Sequence, residues 1–134
     1  MRKGFTLVEL LIVLAVIAAL MAVATPLALN AVKNAKASQV AQNFRNIKAA
    51  FENYFNTEKS TPTDLDTLKN AGYLSSVPEN FKLSVDGPTG GEYKVTITYE
   101  GKDVDVDKVK QNGVPEATKE GENITYTFRV QKWW

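Results

Sequence analysis

The sequence predicts an α+β fold in which one long N-terminal helix packs against a small antiparallel sheet of three or four strands. Three observations in this chain of 134 residues lead to that fold class. A long apolar run opens the chain, helically spaced apolar residues follow it, and two strictly alternating segments lie in the C-terminal half. An apolar helix stripe and the apolar face of a sheet can cover each other, so one layer of each is expected.

The first predicted element is a helix that is long and apolar enough to cross a bilayer. No charged residue occurs from Leu10 to Val32, and a spanning α-helix needs about 20 apolar residues. Arg2 and Lys3 precede this run and are expected to stay on the cytoplasmic side, which places the C-terminal part of the chain outside. Glu9 is unusual in this segment, since a carboxylate within hydrocarbon costs on the order of 3 kcal/mol.

Three interpretations of this segment compete. A secretory signal peptide would be cut after Ala24, because residues 22–24 form a small-x-small site. Against it, the apolar run exceeds the usual length of about 7–15 residues, and Glu9 interrupts the apolar residues that begin at Phe5. A plain single-pass anchor, the second interpretation, leaves Glu9 without a role.

The third interpretation is a resemblance to a known family. The segment Gly4-Phe5-Thr6-Leu7-Val8-Glu9 resembles the class III signal of type IV pilins and pseudopilins. The resemblance implies that a prepilin peptidase cuts after Gly4 and that Phe5 becomes an N-methylated mature N-terminus. It also implies that Glu9 is the glutamate that the family carries close to that terminus, and Pro26 matches a family proline.

Physical chemistry supports an assembly role for Glu9. Cleavage after Gly4 would expose an α-amine on Phe5, and Glu9 lies four residues further on, about 6 Å along a helix. Removing one partner of a buried ion pair costs about 3–5 kcal/mol. We therefore expect the carboxylate and the amine to be satisfied between staggered neighbouring copies, so that Glu9 and Phe5 together act as an assembly check.

The same helix is expected to continue beyond the apolar run, from Phe5 to about Asn56. Helically spaced apolar residues form a stripe along its second half: Val40, Phe44, Ile47, Phe51, Tyr54 and Phe55. Pro26 is its interior breaker and predicts a kink or a loosened turn, because proline removes one helical hydrogen bond. The predicted parts are a leader at 1–4, a transmembrane or filament-core helix half at 5–30, and an α+β domain at 31–134.

Shorter elements are expected after the long helix. Residues 63–66 form a capping-box pattern that predicts a short helix, which Gly72 would close. Alternation predicts strands in three segments, with a turn at 86–91 after the first of them: 81–85, 93–99 and 124–130. The charged region 101–123, with its glycines, predicts a long loop with room for one edge strand.

Composition excludes several classes of chemistry. The chain has no histidine and no cysteine, so disulfides, cysteine nucleophiles, Ser-His-Asp triads and Cys/His zinc sites are unavailable. Nothing in the sequence resembles a set of nucleophile, base and orienting group, and we expect neither an enzyme nor a cofactor. The net charge of +1 indicates no special attraction to anionic partners.

A weak candidate for metal binding is the alternating set Asp103, Asp105 and Asp107. This spacing resembles the start of a calcium loop, but Lys108 replaces the required glycine and Val114 replaces the bidentate glutamate. A solvated loop or strand edge is the alternative.

Two further surface features have alternative explanations. The outer part of the helix carries four basic residues, Lys33, Lys36, Arg45 and Lys48. They indicate either a solvent-exposed helix face or a surface that contacts DNA phosphates. The final residues, Trp133 and Trp134, have two alternative roles. They either pack against the sheet and hold the last strand in place, or form an exposed patch for subunit or surface contacts.

The expected function is that of a structural subunit of a type IV pilus, forming a helical homo-oligomer. Its expected partners are the inner membrane, the prepilin peptidase and the pilus assembly machinery, with DNA or surfaces as further candidates. The expected localisation is a single-pass membrane precursor and then an extracellular pilus. The alternatives are a pseudopilin of type II secretion or competence, and a membrane-anchored or secreted small binding module.

Overall fold

The structure is a computed structural model that describes residues 6–134. Its elements, in chain order, are α1 (Leu7–Glu58), α2 (Leu65–Asn70), β1 (Phe81–Thr89), β2 (Glu92–Tyr99), α3 (Val106–Gln111), β3 (Thr118–Glu120) and β4 (Asn123–Gln131). The predicted class is confirmed, since a long N-terminal helix accompanies a four-stranded antiparallel sheet.

The chain divides into two compact units, of which the first ends at Asn34 and the second covers Ala35–Trp134. The helix α1 contributes to both, because it continues without interruption through this boundary. The predicted division into residues 1–4, 5–30 and 31–134 stays a prediction.

The sheet of the second unit has the strand order β1-β2-β4-β3, and all its pairs are antiparallel. Its two central strands are β2 and β4, which pair along nearly their whole length. Val95 lies opposite Val85 on one side and Phe128 on the other. The predicted alternation is confirmed, since every second residue of β2 from Val95 to Tyr99 is buried.

The core lies between this sheet and residues 35–58 of α1. The helical stripe predicted from the spacing is buried at Val40, Phe44, Ile47, Phe51 and Phe55. The ring of Phe44 meets the edge of Phe81 at a centroid distance of 5.2 Å. The ring of Phe51 meets Phe128 in the same way at 5.7 Å. These aromatic contacts fix the helix on the sheet.

The short helix α2 forms where the sequence predicts it, but its cap lies one residue later than the pattern indicates. Asp64 is the N-cap, and its Oδ1 accepts a hydrogen bond of 2.8 Å from the backbone N–H of Thr67. Gly72 follows the helix with a φ of +87°, a left-handed conformation that favours glycine.

Two expectations for the irregular segments need correction. The turn between β1 and β2 consists of Gly90 and Gly91 rather than the whole of 86–91, because β1 continues to Thr89. The region 101–123 contains the expected edge strand, β3, but it also contains the helix α3, which the sequence analysis did not anticipate.

This region is held in place without a covalent crosslink. Val109, Val114 and Ala117 are buried in the same core as α1 and the sheet. Arg45 Nη1 on α1 donates a hydrogen bond of 3.2 Å to the carbonyl oxygen of Asn112, just after α3 ends. The burial of these apolar side chains and the Arg45 cation at the C-terminus of α3 therefore hold the region 101–123 in place.

Candidate functional site

The start of α1 is the site to which the sequence assigns most of the function. Thr6 caps this helix: its Oγ1 accepts a hydrogen bond of 3.2 Å from the backbone N–H of Glu9. The Thr6 carbonyl oxygen accepts a second bond, of 3.1 Å, from the N–H of Leu10. The pattern Thr-x-x-Glu is that of a capping box, a feature that was not among the predictions from the sequence.

Glu9 thus occupies the first turn of α1, where the helix dipole stabilises a negative charge. The predicted cleavage position Gly4 and the predicted mature N-terminus Phe5 lie outside the described residues. The proposed pairing of the Glu9 carboxylate with an α-amine on Phe5 consequently stays a prediction.

The side chains of α1 between Leu7 and Val32 form an exposed apolar surface. The large apolar residues Leu7, Ile12, Ile17, Leu20, Leu27 and Val32 each expose about half or more of their area. Within residues 6–134, α1 is the one helix that is long and apolar enough to cross a membrane, judged by length and composition. A helix that is apolar on all sides needs lipid or other apolar helices around it.

Pro26 lies inside α1, and the helix continues on both of its sides. Proline has no backbone N–H, so the carbonyl oxygen of Ala22 lacks its usual helical donor. The predicted kink or loosened turn at this position stays a prediction.

The three aspartates proposed as weak metal ligands are placed in different structural roles. Asp103 accepts a hydrogen bond from the phenol of Tyr99 and faces the ammonium of Lys36 at 3.9 Å. Asp105 is the N-cap of α3, and its Oδ1 accepts a bond of 2.9 Å from the N–H of Asp107. Among the residues that the structure describes, no group of three or more acidic, histidine or cysteine side chains could hold a metal ion.

The phenol of Tyr99 is the most strongly perturbed titratable group in the second unit. Burial raises its pKa well above the ordinary value of 10.0, and the hydrogen bond to the Asp103 carboxylate raises it further. The phenol therefore stays protonated, and its hydrogen bond to Asp103 connects the end of β2 to the segment that precedes α3.

Three of the basic residues on the outer part of α1, Lys36, Arg45 and Lys48, make intramolecular contacts. Arg45 binds the Asn112 carbonyl, as described above, and Lys36 faces Asp103. The ammonium of Lys48 lies 5.6 Å from the ring centre of Tyr126, whose hydroxyl raises the pKa of the lysine. These contacts favour the interpretation that this side of α1 is an ordinary solvent-exposed helix face over the interpretation that it is a nucleic-acid interface.

The two C-terminal tryptophans differ in their environment. Trp134 is half-buried, and its ring packs on Phe55 at a centroid distance of 4.7 Å. Trp133 exposes 61% of its surface, and its Nε1 donates a hydrogen bond of 3.1 Å to Asn56 Oδ1. Trp134 therefore pins the end of β4 to α1, whereas Trp133 is an exposed aromatic side chain with a fixed polar edge.

A family model described as the prokaryotic N-terminal methylation motif matches residues 1–25. No curated protein and no solved structure matches the chain.

Proposed function

We propose that this type IV pilin-like chain is the structural subunit of a type IV pilus filament, processed by a prepilin peptidase and assembled through α1. The chain carries the N-terminal methylation motif, the class III signal typical of type IV pilins and pseudopilins, at residues 1–25. The observation that carries the proposal is that this motif includes the start of α1, a helix whose large apolar side chains are exposed from Leu7 to Val32.

Processing is the first step of the proposed function. The precursor is held in the inner membrane by α1, with the charged residues Arg2 and Lys3 on the cytoplasmic side. The peptidase cuts after Gly4, and the new N-terminus at Phe5 is methylated. A short leader before a spanning helix leaves the anchor in the mature chain, in contrast to a secretory signal that is removed.

Assembly is the second step. The apolar surface of α1 leaves lipid and is covered by the corresponding helices of neighbouring copies. The Glu9 carboxylate of an incoming copy meets the α-amine on Phe5 of a neighbour, which neutralises two charges that are costly in an apolar environment. Contacts between two different surfaces of the same chain do not need to close, and repeated contacts of this kind give a helical filament.

The proposed role is structural rather than enzymatic. The buried part of the second unit is an aromatic and aliphatic core between α1 and the sheet. Asp105 caps a helix, and Asp103 makes an ion pair with Lys36. The proposal includes no cofactor.

The mature N-terminus and the surface filaments test this function. Mass spectrometry of the protein from the cells that produce it is expected to show a chain that begins with N-methylated Phe5. A chain that begins at Thr25 would instead support a secreted binding module, and an uncut chain would support a plain anchor. Electron microscopy of sheared surface material is expected to show long filaments of this protein. Methylated Phe5 without surface filaments would favour a pseudopilin.

A further inference from the structure

Trp133 is an aromatic side chain that is held firmly at the surface of the second unit. It exposes 61% of its area although its indole N–H is bound to Asn56. The ammonium of Lys59 lies 5.3 Å from the centre of its ring, whereas that of Lys132 lies 5.6 Å from the ring centre of the adjacent Trp134. The side chain is thus an exposed apolar projection with one ammonium beside its ring, and tryptophan is one of the residue types that most often anchor interfaces.

A groove of complementary character lies elsewhere on the same unit. It has a volume of about 300 Å³, and its apolar lining comes from Leu65, Val77, Phe81 and Leu83. The carboxylates of Asp64 and Asp66 also border it. Both aspartates are exposed, and hydrogen bonds from Thr67 lower the pKa of Asp64, so its carboxylate is charged at neutral pH.

One cation also borders the groove, but it has a partner. The Lys82 ammonium lies 3.2 Å from a carboxylate oxygen of Glu100. The two aspartates therefore dominate the charge that the groove presents to an incoming group.

Trp133 cannot fill the groove of its own copy. It is anchored beside Asn56, whereas Phe81 in the groove packs on Phe44. These two positions on α1 are separated by about 18 Å along the helix axis. A Trp133 indole that fills the groove would therefore have to come from another copy.

We propose that Trp133 of one copy docks into this groove on a second copy, with Lys59 facing Asp64. The proposal rests on the proposed function, because it adds a contact between second units to the filament. The indole brings an apolar body of suitable size, and the flanking charges give the contact its orientation. Because the two surfaces differ, the contact is heterologous and can repeat from copy to copy.

Cross-linking between copies tests this contact, since the natural chain has no cysteine. Two full-length variants, Lys132→Cys and Asp66→Cys, are produced together and treated in intact cells with a short bismaleimide. Both variants keep Trp133 and the apolar lining of the groove. The mixture is expected to give at least tenfold more cross-linked dimer than either variant alone. The matched control pairs Lys132→Cys with Lys119→Cys, an exposed residue on the edge strand β3, and is expected to give only background.

A second comparison links the cross-link to the indole. Adding Trp133→Ala to the Lys132→Cys chain is expected to reduce dimer formation with Asp66→Cys to the level of the control. The docking proposal is overturned if the Lys119→Cys control cross-links as well as Asp66→Cys, or if Trp133→Ala changes nothing.

The outcomes for the docking contact and for the proposed function are separable. Methylated Phe5 and sheared filaments are measured on the same cells. Filaments without the cross-link at Asp66 would overturn the docking contact alone. A cross-link without methylated Phe5 or filaments would retain the contact and overturn the filament function.

Discussion

Thr6 Oγ1 accepts a hydrogen bond from the backbone N–H of Glu9 across 3.2 Å, so the residue expected to direct assembly also belongs to the cap of α1. Two roles for Glu9 follow. Its carboxylate can complete a capping box at the helix start, or it can supply a charge for a neighbouring copy. Glutamine also suits a capping box but has no charge, so substitution can separate the two roles.

Glu9→Ala and Glu9→Gln are both expected to be processed after Gly4 and inserted into the membrane, yet to be excluded from filaments. Each variant leaves a neighbour's amine without its partner, at a cost of about 3–5 kcal/mol per contact. The measurement is the amount of each variant in sheared filaments relative to the membrane fraction. If Glu9→Gln assembled normally while Glu9→Ala did not, the capping role alone would explain Glu9.

Arg45→Ala is expected to loosen the region around α3. The change removes the hydrogen bond to the Asn112 carbonyl, which contributes about 1 kcal/mol. Amide hydrogen exchange in residues 106–117 should accelerate roughly fivefold, while exchange in β2 stays unchanged. Asn46→Ala provides the matched control, because Asn46 is exposed on the same helix. Equal acceleration in β2 would contradict the local role.

Tyr99→Phe is expected to change how the stability of the second unit depends on pH. Burial and Asp103 raise the pKa of the folded-state phenol above 10.0. The unfolded chain therefore loses this proton first as the pH rises. The contribution of Tyr99 is complete below about pH 10, and above it the free energy of unfolding falls by at most about 1.4 kcal/mol per pH unit.

The measurement is urea unfolding of the detergent-solubilised full chain between about pH 8 and about pH 11. Lysines and the other tyrosines titrate in the same range, so the comparison with Tyr99→Phe isolates the contribution of this phenol. The variant should lose less stability across the range than the parent chain. Parallel curves would show that Tyr99 does not contribute to alkaline unfolding.

Trp134→Ala and Trp133→Ala are expected to differ in their effect on stability. Trp134 packs on Phe55, and removal of its half-buried ring should cost about 2–3 kcal/mol. Trp133 contributes mainly one exposed hydrogen bond, so its replacement should cost less than about 1 kcal/mol. Thermal unfolding followed by circular dichroism measures both. A larger effect for Trp133 would contradict the assignment of Trp134 as the pin.

Features with a repeating pattern could be predicted from the sequence. The stripe from Val40 to Phe55 and the alternation in β2 and β4 repeat over several turns or residue pairs, so each position supports its neighbours. The start signal of α1 also has a fixed spacing, and the match at residues 1–25 agrees with it.

Other features depend on single contacts that a sequence does not display. The helix α3 has only six residues and one fully buried side chain, Val109, so it shows no period. Its position depends on the cap at Asp105 and on Arg45, which is distant in sequence. The capping box at Thr6 does have a sequence pattern. It adds little to the prediction of α1, because the length of the surrounding apolar segment already predicts a helix.

The order of the strands has a consequence for synthesis. The strand β4 follows the other three strands in the chain but occupies an interior position between β2 and β3, and Trp134, which follows β4, rests on Phe55. The ribosome releases the helix α1 first, so its apolar stripe has no complete sheet to cover it until the last nine residues of strand have emerged. Chains that stop before β4 lack the middle of their sheet and cannot close the core, so the core of the second unit depends on a segment far from α1 in sequence.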